Sequence, residues 1–172
     1  MQINSLLNRI ELYKIFPKNA VGAELGVQYG HNAQFLYKLT EPKKLYLVDP
    51  WELPPEGTGK LIFNCVKASF QHCPEVEVIR AYDWDWIETI PDEHLDWVYL
   101  DSSHLYHNTK REVTAILPKI KRGGILAGHD FCTNPWWKTG VMRPILDAVQ
   151  AGQIRITTLT EEAFPSYYTE VL

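Results

Sequence analysis

Two short polar runs interrupt apolar stretches of this chain: Asp101-Ser102-Ser103-His104 after Leu95–Leu100, and His129-Asp130-Phe131 after Ile125–Gly128. Two carboxylates brought close together repel unless a cation or a shared proton lies between them. Asp101 and Asp130 therefore predict a divalent cation, and oxygen ligands suit Mg²⁺ or Mn²⁺. His104 follows Asp101 by three residues and is a candidate general base, because imidazole titrates near neutral pH. The plainer alternative makes His104 a loop histidine and Asp130 a cap. His129 is a softer ligand than Mg²⁺ prefers. That leaves three alternatives open: a place behind the ligands, an ion such as Mn²⁺ or Fe²⁺, or no ion.

A second group is Glu24-Leu25-Gly26-Val27-Gln28-Tyr29-Gly30-His31-Asn32. Gly26 and Gly30 predict a tight turn where backbone approaches a ligand without a Cβ in the way. The spacing is neither the dinucleotide fingerprint nor the phosphate loop, whose lysine is missing. A carboxylate at Glu24 repels a pyrophosphate and suits an ammonium or sulfonium group; the alternative is an ordinary turn with a solvated glutamate. Asp49 lies about 20 residues past the glycine turn, the distance at which an acid accepts hydrogen bonds from ribose hydroxyls. Pro50 and Trp51 then offer a flat surface to a purine edge, although Asp-Pro also starts turns. Tyr82-Asp83-Trp84 stands where a carboxylate would read an adenine amino group, and an N-cap at Asp83 explains it equally well.

These residues need elements to position them. Leu6, Leu7, Ile10 and Tyr13 recur at helical spacing over Asn4–Phe16, which predicts an N-terminal helix within residues 1–19, closed by Pro17. Strands are expected at Ala20–Leu25, Lys44–Val48, Val76–Ala81, Leu95–Leu100 and Ile125–Gly128. Between them lie helical stretches at Asn32–Leu39, Lys60–His72, Trp84–Ile90 and Asn108–Ile120, and Arg143–Ala151 is the last helix. Alternation of this kind predicts parallel strands with crossover helices. Ile154–Leu159 and Tyr167–Val171 have only a turn between them and must pair antiparallel. The expected fold is an α/β three-layer sandwich. Its sheet is a seven-stranded, mostly parallel, Rossmann-like one with a C-terminal antiparallel hairpin. One domain spans 1–172, with the ligand-binding core at 20–172. In such sheets ligands lie outside the carboxyl ends of the strands.

Composition narrows the partners. The chain has 172 residues, 45% hydrophobic and 22% charged, with 6 Trp, 9 Tyr and 6 Phe, which argues against disorder. A formal charge of −4 lacks the cation excess that a nucleic-acid binder uses to displace counterions. Cys65, Cys73 and Cys132 form no CxxC pair, so neither a disulfide framework nor structural zinc is expected. Arg9, Glu11 and Lys14 interrupt any leader-like apolar run, and no stretch approaches the roughly 18 apolar residues of a membrane span. A cytoplasmic protein is expected, with a small-molecule partner, no nucleic-acid or membrane partner, and homo-oligomerisation left open.

Glu24-x-Gly26-x-x-x-Gly30, Asp49, Asp101-x-x-His104 and Gly123-Gly124-x-x-x-x-His129-Asp130 together resemble class I S-adenosylmethionine-dependent methyltransferases. The resemblance is greatest to the small-molecule O-methyltransferase branch with metal-assisted members, and it covers roughly 20–172. It implies that Glu24 and the Gly26–Gly30 turn hold the methionine end of S-adenosylmethionine, with Asn32 helping at its carboxylate. Asp49, with Trp51 beside it, would serve the ribose and purine, and Tyr82 and Asp83 would flank the adenine. Asp101, His129 and Asp130 occupy the places of metal ligands, Mg²⁺ or Mn²⁺. His104 stands where relatives carry a catalytic lysine, and Asp101 belongs to both the cofactor and catalytic sets. Asn134-Pro135-Trp136-Trp137 resembles an amino-methyltransferase signature but follows the wrong strand, and reads as substrate-loop aromatics or packing. The activity implied is methyl transfer to an oxygen of a small acceptor. The alternatives are a non-catalytic S-adenosylmethionine sensor or partner subunit, and a nicotinamide oxidoreductase, which the missing fingerprint disfavours.

Overall fold

The computed structural model describes residues 3–172; Met1 and Gln2, the start of the expected N-terminal helix and domain, lie outside the described residues. The strands are β1 Asn4–Leu6, β2 Val21–Leu25, β3 Lys44–Asp49, β4 Val76–Arg80, β5 Leu95–Leu100, β6 Ile120–Gly128, β7 Ile154–Thr160 and β8 Tyr167–Val171. The helices are α1 Arg9–Tyr13, α2 His31–Thr40, α3 Thr58–Ser69, α4 Asp83–Ile87, α5 Tyr106–Ile116 and α6 Met142–Gln150. One sheet holds all eight strands in the order β1-β7-β8-β6-β5-β2-β3-β4. The pairs from β6 through β5, β2 and β3 to β4 are parallel.

The central strands are apolar on both faces because helices cover both. Ala23, Leu25, Val98 and Leu100 pack with Trp86, Ile87, Val113, Ile116 and Ile145, from α4, α5 and α6. Leu45, Leu47, Trp97 and Tyr99 pack on the other face with Leu12, Leu36, Ile62 and Val66, from α1, α2 and α3. This is the expected three-layer sandwich, and the closing pair β7–β8 is antiparallel as expected. At Gly22 a Cβ would stand 2.1 Å from the Trp97 ring, so the missing side chain lets the indole lie across β2.

Three expectations are corrected. The sheet has eight strands because Asn4–Leu6 adds to its edge, parallel to β7, instead of opening a helix. Leu7, counted on the apolar helical face, is 72% exposed. The true helix starts where the Asn8 side chain accepts a hydrogen bond from the Glu11 N–H, and it is only five residues long. The third correction is β6, which begins at Ile120, so Gly123-Gly124 lies within it, beside a register shift against β5. Among the described residues no helix is long and apolar enough to cross a membrane.

Strand order fixes where chemistry happens. The chain runs outward from β2 to β3 and β4, then returns to lay β5 on the other side of β2. The reversal opens a crevice beyond the carboxyl ends of β2 and β5, where ligands bind in open α/β sheets.

Candidate active site

A cavity of about 560 Å³ occupies that crevice, within the usual range for small-molecule sites. Its wall includes Glu24, Gly26 and Asn32 from the β2–α2 turn, Asp49 at the end of β3, and Tyr82 and Asp83 after β4. Asp101 and His104 after β5 and Asp130 after β6 complete it. The expected acids and His104 therefore converge on one space.

Gly26 makes this approach possible. Its φ is +88°, and a Cβ there would stand 2.2 Å from the Asp101 carbonyl oxygen, so the turn after β2 can pass beside β5 only without a side chain. Gly30 caps α2 with a left-handed backbone against Val66 and does not border the cavity.

Glu24 is fully buried, and burial pushes its carboxyl up to about 8, against a hydrogen bond from Asn32 that lowers it. The Tyr13 hydroxyl donates to Asn32 Oδ1 at 2.6 Å, and Asn32 Nδ2 donates to Glu24 Oε1 at 2.8 Å. Asn32 is thus engaged on both amide atoms and holds Glu24. Among the described residues, Oε2 of Glu24 has no partner. A buried, orphaned carboxyl oxygen facing a cavity fits a ligand that brings an ammonium or sulfonium.

Asp49 ties the turns together. Oδ2 accepts the Val27 and Gln28 N–H groups at 3.0 and 2.9 Å, and Oδ1 accepts the Trp51 N–H at 2.6 Å. Gln28 and Trp51 both have positive φ, and these bonds hold that unfavourable backbone in place. An ionised carboxylate offers about four acceptor sites, so capacity remains for a hydroxyl. Trp51 is not where the sequence suggested. Its indole is buried, 5.1 Å from the Phe63 ring, with Nε1 bonded to the Gln28 carbonyl, and it offers no edge to the cavity. A further acid on this wall is Glu52, which accepts the Tyr82 hydroxyl; sequence reasoning missed it. Tyr82 stacks on Trp84 at 4.7 Å.

His104 Nε2 lies 2.7 Å from Asp130 Oδ2, and His129 Nδ1 lies 3.1 Å from the same oxygen. Desolvation would raise Asp130, but the two imidazole bonds outweigh it and hold the carboxyl well below its ordinary range. The bond to Asp130 in turn raises His104. Burial raises Asp101, with His129 acting against it. Arg9 Nη2 stands 2.6 Å from His129 Nε2. A guanidinium has no acceptor, so Nε2 must accept, and the imidazole hydrogen sits on Nδ1, aimed at Asp130. His129 is therefore occupied on both nitrogens and does not border the cavity, which corrects its expected place among metal ligands. The side chains whose ligand atoms do converge, within 4.8 Å, are Asp101, His104 and Asp130. Arg9 carried no signal in the sequence, because only the fold brings α1 against the end of β6. Trp137 packs 4.6 Å from His104, whereas Trp136 is 89% exposed.

A sequence model described as a methyltransferase domain matches residues 23–131. No curated protein sequence matches the chain. Solved structures share its fold. A methyltransferase candidate from Streptococcus mutans, in complex with S-adenosylhomocysteine, is 16% identical over 97% of this chain and 99% of its own, with a TM-score of 0.70. A SAM-dependent methyltransferase from Aquifex aeolicus is 14% identical over 95% of this chain and 88% of its own, also at 0.70. An rRNA methylase from Streptococcus thermophilus is 14% identical over 95% and 94%, at 0.65. At these identities the likeness is one of fold.

Proposed function

Because the chain belongs to the methyltransferase-domain family, we propose that it transfers a methyl group from S-adenosylmethionine to an oxygen of a small-molecule acceptor. The observation that carries this reading is one cavity bordered both by the orphaned Glu24 carboxyl and by the His104–Asp130 pair. Glu24 suits the cationic end of the cofactor. The remaining acceptor capacity of Asp49 suits its ribose, and Asp83 suits the adenine amino group. Bound there, the cofactor supplies an electrophilic methyl on sulfur.

The chain's own residues do the rest. Asp130 accepts the Nε2 hydrogen of His104, which leaves Nδ1 as the basic nitrogen. Nδ1 takes the acceptor's hydroxyl proton as the oxygen lone pair forms the new C–O bond. The cofactor would supply the methyl as an electrophile, its sulfur keeping the bonding electrons, and would be left as a neutral thioether. Asp130 stabilises the imidazolium, and Arg9 and His129 fix the orientation of Asp130. Alignment of the reactants is the main contribution, roughly 7–11 kcal/mol in favourable cases.

A second reading adds a divalent ion held by Asp101, His104 and Asp130, favoured by the convergence of their ligand atoms. Two carboxylates and an imidazole suit Mn²⁺ or Fe²⁺ better than Mg²⁺. Such an ion would lower the pKa of a bound hydroxyl. Although an rRNA methylase is among the proteins of like fold, the formal charge of −4 supports a small acceptor over RNA. The test is transfer of labelled methyl from S-adenosylmethionine to a panel of small hydroxyl compounds and to total RNA, with and without added Mn²⁺. Label in small compounds supports the reading, and label only in RNA overturns the acceptor class. Tight cofactor binding without transfer would instead mark a sensor.

A further inference from the structure

The end of β3 and the loop after it bring two acids to the cavity, Asp49 and Glu52, and they differ in what occupies them. Asp49 already carries three backbone N–H groups: Val27 and Gln28 on Oδ2 at 3.0 and 2.9 Å, and Trp51 on Oδ1 at 2.6 Å. A carboxylate oxygen has two lone-pair sites, so Oδ2 is full and Oδ1 keeps one. Glu52 is freer. Its Oε2 accepts the Tyr82 hydroxyl, and no donor among the described residues reaches Oε1. Other acids on the cavity wall, Asp83 and Glu112 of α5, are buried at 4% and 1% exposure, whereas Glu52 is exposed. An exposed side chain contributes to binding when its position is held beforehand.

Two features hold Glu52. Trp51 reverses the chain just before it, with φ at +47°, its indole buried and Nε1 donating to the Gln28 carbonyl at 2.7 Å. Gly59 of α3 packs on the same residue so closely that a Cβ would stand 1.6 Å from the Trp51 carbonyl oxygen. On the far side, Tyr82 stacks on Trp84 at 4.7 Å with the rings 11° from parallel, and the Arg111 guanidinium lies over Trp84 at 4.8 Å. The Tyr82–Glu52 bond therefore joins two fixed positions, one after β3 and one after β4.

We infer that Glu52 binds the ribose: its Oε1 accepts one hydroxyl of a vicinal diol, the lone pair left on Asp49 Oδ1 accepts the other, and Tyr82 holds Glu52 in place. A ribose presents two neighbouring hydroxyls, each with one hydrogen to donate, and a single remaining lone pair on Asp49 cannot accept both. The inference rests on the cofactor reading above, which puts Asp49 at the ribose; what it adds is Glu52 and its tyrosine clasp. The two acids divide the work. Asp49 builds the turn that the ligand lies against, and Glu52 reads the diol. A nucleoside without the diol gains nothing from Glu52, whose Oε1 then stays with water.

Calorimetric titration of S-adenosylhomocysteine and of its 2′,3′-dideoxy analogue into wild type and Glu52→Leu tests this. Leucine keeps the bulk and removes both acceptor oxygens, at an exposed position on which the fold does not depend. The ratio of dissociation constants, dideoxy analogue over parent, isolates the diol, because contacts to the rest of the ligand cancel. That ratio is expected to fall about tenfold in Glu52→Leu, through weaker binding of the parent, while the analogue binds both proteins within about twofold. Tyr82→Phe, which releases the carboxyl without removing it, should lower the ratio about threefold; an unchanged ratio there overturns the role given to Tyr82. In Glu52→Leu, a ratio equal to that of wild type overturns the inference and leaves the cofactor reading standing. Failure of wild type to bind S-adenosylhomocysteine overturns both.

Discussion

Burial acts on acids along two walls of the same cavity, with opposite results. Glu24, Asp83 and Glu112 are raised, while Asp130, also buried, is held far below the ordinary range. What separates them is the number and kind of donors. Asp130 receives two imidazole hydrogens on one oxygen, whereas Glu24 receives a single amide hydrogen and keeps one oxygen orphaned. One wall is therefore complete without a ligand, and the other is completed by one. The first suits a preorganised base; the second suits a cation that arrives with the cofactor.

The largest effect should come from the completed wall. His104→Ala is expected to lower turnover roughly 10²–10⁴-fold while the dissociation constant for S-adenosylhomocysteine stays within about threefold. Unchanged turnover would remove His104 from the reaction. Because Asp130 raises His104, and the base works in its neutral form, the rate should climb with pH on a limb centred above the ordinary histidine value. Asp130→Asn should move that limb down, and a limb that stays in place breaks the contrast.

Glu24 sharpens it from the other side. The folded, ligand-free protein holds the Glu24 proton more tightly than the unfolded chain does. Its contribution to stability is therefore present at low pH and is lost as pH rises towards about 8. Glu24→Gln removes that loss. Its melting temperature should exceed wild type by several degrees at pH 8.5, at roughly 2–4 °C per kcal/mol, and converge with it near pH 5. Equal melting temperatures at both pH values would show that Glu24 ionises freely. The smallest expected change is in Arg9→Ala. Losing the guanidinium that orders His129 should cost a few-fold in turnover, on the order of 1 kcal/mol, with cofactor affinity unaltered. A fall as large as that of His104→Ala would put Arg9 on the substrate itself.

How much of this the sequence carried depends on whether a residue's neighbours are local. Asp49, Asp101 and Asp130 were legible because each ends or directly follows an apolar strand, and strand ends face the crevice in parallel sheets. His104 was legible by its place three residues past Asp101. The edge strand Asn4–Leu6 was hidden, since Leu6, Leu7, Ile10 and Tyr13 imitate a helical stripe and pairing with Thr158–Thr160 is a contact across nearly the whole chain. Trp51 misled because its position after Asp49 suggests the cavity, yet its left-handed backbone turns the indole into the core. Glu112 had a signal that went unused: with Thr109, Val113 and Ile116 it lies on the buried stripe of α5, where an acid needs a reason to be. Arg9 and the hydrogen placement on His129 had none, because both depend on α1 meeting the end of β6.

A crystal structure of the complex with S-adenosylhomocysteine tests the central claim most directly. The account predicts the ligand's ammonium group on Glu24 Oε2, its sulfur turned toward His104 Nδ1, and the His104–Asp130 bond intact. An occupied cavity with Glu24 still unpartnered, or with the sulfur facing away from His104, would contradict it.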